Sequence, residues 1–416
     1  MNEQKPTRNR SRIATSQHRN VKLLLVALTS LLVVGVAGGI AIATSHSRLA
    51  RGQRDAATTT TTTIAPWNVP ANETSTPVVL APGGAAGGSG NYNAVDCVST
   101  SECVAVGGNG SLHGVAGYST SSGGSWSSGT VVPGLPDLEA LNCTSANDCV
   151  AVGAGAVAVT RDGGSNWIAR SIPSSNTTLL GVSCASSEHC VSVGVSPGAT
   201  GPYQGQLLVS SNGGNTWSVP TISASLGPLG SVDCPSSIFC VAVGASILVS
   251  NNGGATWTNR PVNGGTGVLR FVSCASSSTC VAIGPNPAVA QDPSASAFAV
   301  ETSDGGASWN PVVMPPGTAD VYALTCAGTR CYASGESTAG DSAVVAVSGD
   351  GGASWSVDST LKPSLDEVSA MSCSSATDCL FIGRTGKSPS TVASTNGTAS
   401  PGYPVPAPVR ARDGAQ

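Results

Sequence analysis

The sequence predicts an all-β protein, a seven-bladed β-propeller with one short disulfide per blade, preceded by a single N-terminal transmembrane helix. Three observations predict it: seven close cysteine pairs, a turn motif that alternates with them, and one long apolar run ahead of both. Composition agrees with this class. Of 416 residues, 52 are glycine and only 10% are charged, which favours short strands and tight turns over amphipathic helices.

Residues 1–22 form a basic cytoplasmic tail carrying Lys5, Arg8, Arg10, Arg12, Arg19 and Lys22. Residues 23–43, LLLVALTSLLVVGVAGGIAIA, have Thr29 and Ser30 as their only polar members. As a helix this run is about 30 Å long, one bilayer core. The basic excess before it, against Arg48, Arg51 and Arg54 after it, places the N-terminus inside and the rest outside the cytoplasm, held to the cell membrane. A cleaved signal peptide is the alternative, because Ala41-Ile42-Ala43 has the small-x-small cleavage pattern. Signal cores run only about 7–15 residues, so a retained anchor is expected. Residues 44–75, with the Thr58–Thr63 tract, read as a solvated linker, and the Pro-rich tail 401–416 reads as irregular.

The cysteines fall into close pairs: Cys97 with Cys103, Cys143 with Cys149, Cys184 with Cys190, and Cys234 with Cys240. Cys274 with Cys280, Cys326 with Cys331, and Cys373 with Cys379 complete the set. An even count, strict pairing and exported context point to disulfides. Zinc sites want Cys-x2-Cys, and only His113 and His189 lie in the repeat region, so no metal site is expected.

The first cysteines of successive pairs lie 46, 41, 50, 40, 52 and 47 residues apart, a propeller period. In phase with them runs a turn motif: Thr160–Trp167, Ser210–Trp217, Ser250–Trp257, Thr302–Trp309 and Ser348–Trp355. A shortened copy spans Thr120–Trp126 and a decayed one Ser394–Ser400. One unit, residues 138–172, reads as four strands: LEALNC, CVAVG, GAVAVT and WIARSI, with the cysteines joining the first two. The motif sits at the third turn. Asp162, Asn212, Asn252, Asp304 and Asp350 bond local backbone there, and Trp167, Trp217, Trp257, Trp309 and Trp355 pack between blades.

The S/T-x-D/N-G-G-x-x-W pattern resembles the Asp-box, or BNR repeat, of sialidase-like propellers. Its D-G-G-x-x-W form is similar to propellers of the photosystem II assembly/stability factor family and to sortilin-type ten-bladed propellers. The resemblance covers residues 76–400 and implies a folding element on the face away from the ligand, with no chemistry of its own. Ring closure is expected from residues 76–81, because Thr76-Pro77-Val78-Val79-Leu80 echoes the fourth strand Asn310-Pro311-Val312-Val313-Met314.

Function is less legible. Net charge is −4, and the chain after residue 63 holds ten basic and 21 acidic residues, a poor match to nucleic acid. The resemblance to sialidases implies an arginine triad, but Arg161, Arg170, Arg260 and Arg330 fall in turns or outer strands, and the Arg-Ile-Pro motif is absent. No glycine-rich phosphate loop opens a helix, no nucleophile triad assembles, and no cofactor or catalytic residue is assigned. The sequence is read as a monomeric, non-catalytic module that binds an extracellular protein or glycan. Its mouth lies between the second and third strands of each blade and at the connections between blades, with Tyr203, Gln204, Asp292, Asp320, Tyr322 and Arg384 as candidate contacts. The alternative is a cell-surface glycoside hydrolase using two of the loop carboxylates Asp137, Glu139, Asp292, Asp320, Glu336, Asp341, Asp366 and Glu367.

Overall fold

The computed structural model describes residues 91–394, apart from 109–113, 129–134, 199–202, 223–225, 263–266, 287–295, 317, 319, 337–342, 359–366 and 386–387. The basic tail, the apolar run 23–43, the linker 44–75, the closing segment 76–81, the decayed motif beyond Ser394 and the tail 401–416 lie outside the described residues. No helix among the described residues is long and apolar enough to cross a membrane.

Among the described residues, twenty-six strands form seven antiparallel sheets. The first holds β1 (Asn91–Cys97), β2 (Cys103–Gly108), β3 (Gly114–Ser119) and β4 (Ser127–Ser128). The second holds β5 (Leu138–Cys143), β6 (Cys149–Gly153), β7 (Ala156–Thr160) and β8 (Ile168–Arg170). In the third, β9 (Thr178–Cys184), β10 (Cys190–Ser196) and β11 (Gln204–Ser210) pair in order. The fourth comprises β12 (Leu229–Asp233), β13 (Cys240–Gly244), β14 (Ile247–Ser250) and β15 (Thr258–Arg260). The fifth comprises β16 (Phe271–Cys274), β17 (Cys280–Gly284), β18 (Phe298–Thr302) and β19 (Asn310–Val313). The sixth is β20 (Asp320–Ala327), β21 (Arg330–Glu336), β22 (Ala343–Ser348) and β23 (Ser356–Val357). The last is β24 (Glu367–Ser375), β25 (Asp378–Thr385) and β26 (Ser388–Ser394).

The first strand of each sheet packs against the first strand of the next, and β24 packs against β1. The chain is therefore a β-propeller, with these first strands innermost. The expectation of seven complete blades is corrected: six sheets reach a fourth-strand contact, one of them only through a Val209–Ser218 bridge, and the last stops at three strands among the described residues. The chain beyond Ser394 enters a proline-rich tail, and proline cannot donate to a ladder.

Packing follows from the ring. Each apolar layer lies between two neighbouring sheets; Val150, Val152, Val157 and Val159 of the second meet Leu179, Val182, Leu208 and Trp217 of the third. Second strands are covered on both faces, so Cys-Val-Ala-Val-Gly is buried throughout in β6 and β13. Fourth strands are short edges with Ile168, Val313 and Val357 exposed, a length that limits edge-to-edge pairing.

All seven cysteine pairs are disulfides, each joining the first and second strands of its sheet. In the first five sheets the second cysteine opens the second strand, as expected. The last two sheets differ. Cys331 stands opposite Cys326 and Cys379 opposite Cys373, but Arg330 and Asp378 already pair before them, opposite Ala327 and Ser375. The ladder there runs on past the disulfide toward the turn. Cys326 and Cys331 also close the shortest loop, with a sequence separation of 5, and Gly328 at φ 57° makes that tighter turn. Cys331 and Cys379 are both buried, each in an apolar layer between sheets.

The glycine four residues after the second cysteine has a steric cause in six of the sheets. A Cβ on Gly153, Gly194, Gly244, Gly284, Gly335 or Gly383 would lie 1.8–2.2 Å from a backbone carbonyl oxygen at the start of the same sheet. The close approach sits beside a bulge in that ladder, as between Leu229 and Ser231.

Candidate functional site

The ring has two different ends. At one, the cysteine turns meet the glycine-pair turns; Gly163 N–H donates to Asn147 O and Gly213 N–H to Glu188 O. Each glycine-pair turn is built alike. Thr302 Oγ1 accepts from Gly306 N–H at 2.9 Å and donates to Asp304 Oδ1 at 2.8 Å, while Asp304 Oδ1 accepts from Ser308 N–H at 3.0 Å. Both glycines adopt positive φ, 71° at Gly305 and 75° at Gly306, which a residue with a Cβ rarely does. In the first sheet Ser119 takes the leading position, with Gly123 N–H donating to its Oγ at 3.0 Å. Ser122 stands at φ 55° where the other turns have glycine, so this copy is full length and begins one residue before the expected Thr120. Trp126, Trp167, Trp217 and Trp309 are buried, and Trp257 and Trp355 pack partly buried against the clusters between sheets.

Just inside this end runs a belt of hydrogen bonds. An innermost strand has backbone N–H groups without a ladder partner, which need acceptors. The residue before the first cysteine of one sheet supplies one to the next. Cys143 N–H donates to Asp96 Oδ2 (2.7 Å), Cys184 N–H to Asn142 Oδ1 (2.7 Å) and Cys234 N–H to Ser183 Oγ (3.0 Å). Cys274 N–H donates to Asp233 Oδ2 (2.7 Å), Cys326 N–H to Ser273 Oγ (3.0 Å) and Cys97 N–H to Ser372 Oγ (2.9 Å). The last bond joins the final sheet to the first. Ser372 Oγ also donates to Asp96 Oδ1 at 3.1 Å, so Asp96 touches the sheets on both sides of its own.

Asp96 and Asp233 are the carboxylates that sequence reasoning missed. Both keep some surface open, yet the protein around them dominates. Burial pushes Asp96 above the ordinary carboxylate range against four opposing hydrogen bonds. Burial pushes Asp233 up to about 6, opposed by its hydrogen bonds and reinforced by the charge of Asp96. The signal lies in the residue before each first cysteine: Asp, Asn, Ser, Asp, Ser, Thr and Ser in turn, a side-chain acceptor every time.

At the opposite end, first strands enter through their bulges, and side chains there bridge sheets less regularly. Asn93 Nδ2 donates to Leu138 O at 2.9 Å and Ser369 Oγ to Tyr92 O at 3.3 Å. Arg270 Nη1 lies 2.8 Å from Asp320 Oδ1, joining the fifth and sixth sheets. Tyr322 is the bulge residue between Val321 and Ala323 and is half-buried.

The expected contacts do not form one cluster. Asp320 and Tyr322 lie together on β20 beside Arg270. Tyr203, half-buried, and Gln204, exposed, lie at the start of β11, three sheets away. Arg384 stands opposite Glu367 in the β24–β25 ladder, its side chain outside the described residues. Asp292, Asp341 and Asp366 lie outside them too. Asp137 is buried against Gly108, where a Cβ would fall 2.1 Å from its carboxylate. Among the described residues, no group of three or more His, Cys, Asp or Glu side chains is arranged to hold a metal ion.

No family model and no curated relative matches the sequence. Among solved structures the chain is similar to YCF48 from Cyanidioschyzon merolae, with a TM-score of 0.51 and 13% identity over 74% of this chain and 96% of that one. It is similar to the Niastella koreensis GH74 enzyme, with a TM-score of 0.52 and 16% identity over 75% of this chain and 53% of that one. The WD40 β-propeller domain of Doa1 gives a TM-score of 0.52 and 10% identity over 74% of this chain and 94% of that domain. The chain spans about half the length of the GH74 enzyme, and identities this low show the propeller fold alone.

Proposed function

We propose that this chain is a non-catalytic binding or scaffolding propeller, tethered to the outer face of the cell membrane by residues 23–43, that takes a protein or glycan at the bulged mouth of its ring. On this reading the glycine-pair turns are Asp-box repeats serving the fold, and Arg270, Asp320 and Tyr322 are the centre of the contact surface. Tyr203 and Gln204, at the start of β11, are further candidate contacts, as are Asp292 and the side chain of Arg384, which lie outside the described residues. One observation carries the reading: Asp96 and Asp233, the carboxylates of the inner belt, hold the backbone of the next sheet. Asp96 accepts from Ser372, Asn142 and Cys143, which leaves its oxygens committed to structure. Propellers of the WD40 kind and of the GH74 kind share this fold, so it accommodates binding and hydrolysis alike.

The rival is glycoside hydrolysis. Asp96 and Asp233 influence each other's charge, and Asp233 near 6 is in the range of a general acid. The two readings separate on arrays of glycans and peptides probed with the purified intact chain. Capture of one ligand class, lost in Tyr322→Ala and Asp320→Asn at unchanged melting temperature, supports binding. Release of reducing sugar, abolished in Asp233→Asn with the fold intact, overturns it.

A further inference from the structure

Two junctions of the ring are built alike and differ by one side chain. The glycine-pair turn of each sheet packs against the sheet before it: Gly214 of the third faces Val150 and Val159 of the second, and Gly306 of the fifth faces Val249 of the fourth. An arginine stands three residues after the turn's tryptophan in the second and fourth sheets, Arg170 after Trp167 and Arg260 after Trp257. Both hold the same ladder position, Arg170 opposite Val157 and Arg260 opposite Ile247.

Their partners differ. Arg170 Nε donates to Asn215 Oδ1 of the third-sheet turn at 2.9 Å, and Asn215 Nδ2 is fixed on Asn212 O at 2.7 Å. In the fifth-sheet turn the place of Asn215 is taken by Ala307. Arg260 Nε is buried without a hydrogen-bond partner, and among the described residues Arg260 forms no hydrogen bond or ion pair. Arg161, Arg270 and Arg330 are each held, by Gly213 O, by Asp320 and by the Tyr332 ring. A buried N–H left unpaired costs free energy, so this one calls for an acceptor.

The same turn is short of a second bond. Trp126, Trp167, Trp217, Trp257 and Trp355 donate their indole N–H to the glycine carbonyl three residues earlier at 2.8–3.1 Å. Trp309, fully buried, lacks that bond. Two buried donors without partners thus belong to one junction. The turn's own carboxylate does not serve them, because Asp304 Oδ1 accepts from Thr302 Oγ1 and Ser308 N–H and its Oδ2 from the Ser308 hydroxyl.

We infer that the junction of the fourth and fifth sheets is a binding site for a carboxylate group, which occupies the space left by the missing amide at Ala307 and accepts from the Arg260 fork. The two oxygens of a carboxylate match Nε and the adjacent Nη of a guanidinium in one plane. Thr258, Asn259 and Ala307 are exposed, so the space opens to solvent at the rim of the ring. The site is distinct from the mouth and does not rest on it.

The arginine Nε–H resonances of the intact chain, labelled at arginine, read the site directly, with Arg260→Lys assigning the signal. Sodium acetate should move the Arg260 resonance along a saturating curve and leave Arg170 in place. Sodium chloride at equal ionic strength should not. A glutamate-rich peptide that saturates at lower concentration than acetate assigns the carboxylate to a partner chain, and a weaker response assigns it to a small free acid. Ala307→Asn restores the amide and should weaken the acetate response at least about fivefold. Melting temperature gives a readout that does not depend on that variant: acetate, compared with chloride, should raise it in the intact chain and not in Arg260→Lys. A linear drift, the same drift in chloride, an undiminished response in folded Ala307→Asn, or an equal rise in Arg260→Lys overturns the inference.

Discussion

The two ends of the ring are made from the same strands and differ in almost every other respect. At the cysteine-turn end, the disulfides, the glycine-pair turns and the belt before the first cysteines repeat from sheet to sheet in the same roles. At the mouth, the bulge position holds Asn93, Glu139, Leu180, Gly230, Tyr322 or Ser369, and Arg270 stands just ahead of β16, so the side chains differ from sheet to sheet. Repetition marks what the fold needs. The variable end is free to meet a ligand, because little of the ring's closure depends on which side chains it carries.

The largest effect should come from the repeated backbone contact. In Gly244→Ala the new Cβ meets Pro228 O at 2.1 Å and Leu229 Cα at 2.7 Å, both backbone atoms that cannot swing aside. A loss of about 4 kcal/mol or more is expected, read as a failure to accumulate folded protein or a collapsed melting temperature. A tolerated Gly244→Ala would mean the bulge is not required.

Removing one staple should cost less. Cys234→Ser with Cys240→Ser opens a loop with a sequence separation of 6, worth about 2 kcal/mol in the chain-entropy model. Denaturant unfolding of the pair variant measures it, and no change would show the disulfides to be idle.

The belt gives a pH dependence with a definite sign. Asp233 has a folded pKa of about 6 against an ordinary 3.8, so the folded state binds its proton more tightly. The penalty for burying the charge is absent below the unfolded pKa, grows as pH rises between the two values, and is complete above about 6. Asp96 adds a penalty of the same sign. The chain should therefore be more stable near pH 5 than at pH 7.5, by at most about 1.5 kcal/mol from Asp233, because roughly half of the penalty is already present at pH 5. Asp233→Asn should flatten that slope.

The glycine-pair turns act oppositely at lower pH. Asp304 is held at about 2, chiefly by the Ser308 hydroxyl and then the Ser308 N–H. At Asp162 and Asp350 partial burial raises the pKa, but the hydrogen bonds together outweigh it and the net shift is downward. Their contribution is present above the ordinary carboxylate pKa and is lost as pH falls toward 2. Thermal melts across pH 2–8 should therefore show a maximum between the two regimes, and a monotonic rise to pH 8 would contradict the belt's role.

The smallest effect should be at the mouth. Gln204 is exposed, and Gln204→Ala should change stability by no more than about 0.5 kcal/mol. A large loss there would blur the distinction between the two ends.

What the sequence made legible follows the same division. The cysteine pairs and the Ser/Thr, Asp/Asn, Gly-Gly and Trp positions recur in identity, so the strands of residues 138–172 could be placed to within a residue or two. The second strands holding Cys331 and Cys379 start one residue earlier than the cysteine spacing suggests, because Arg330 and Asp378 extend the ladder beyond the sulfur bridge. The motif starting at Thr120 is one residue short of the first-sheet turn because Ser122 stands where glycine usually does and Ser119 takes the leading position. The belt was invisible as a motif because Asp96, Asn142, Ser183 and Ser372 share only the ability to accept a hydrogen bond. The Arg270–Asp320 pair spans 50 residues and occurs once, so no periodicity announces it. A ligand surface built from differences leaves no repeat to read.

The seam between the last sheet and the first is where the ring stands or falls. The Cys97 amide donates to Ser372 Oγ across that seam, as the Cys143 and Cys274 amides donate to Asp96 and Asp233 within the ring. Residue-resolved hydrogen exchange should find Cys97 as protected as the other two. Rapid exchange at Cys97 alone, with Cys143 and Cys274 still slow, would mean that the circle is open.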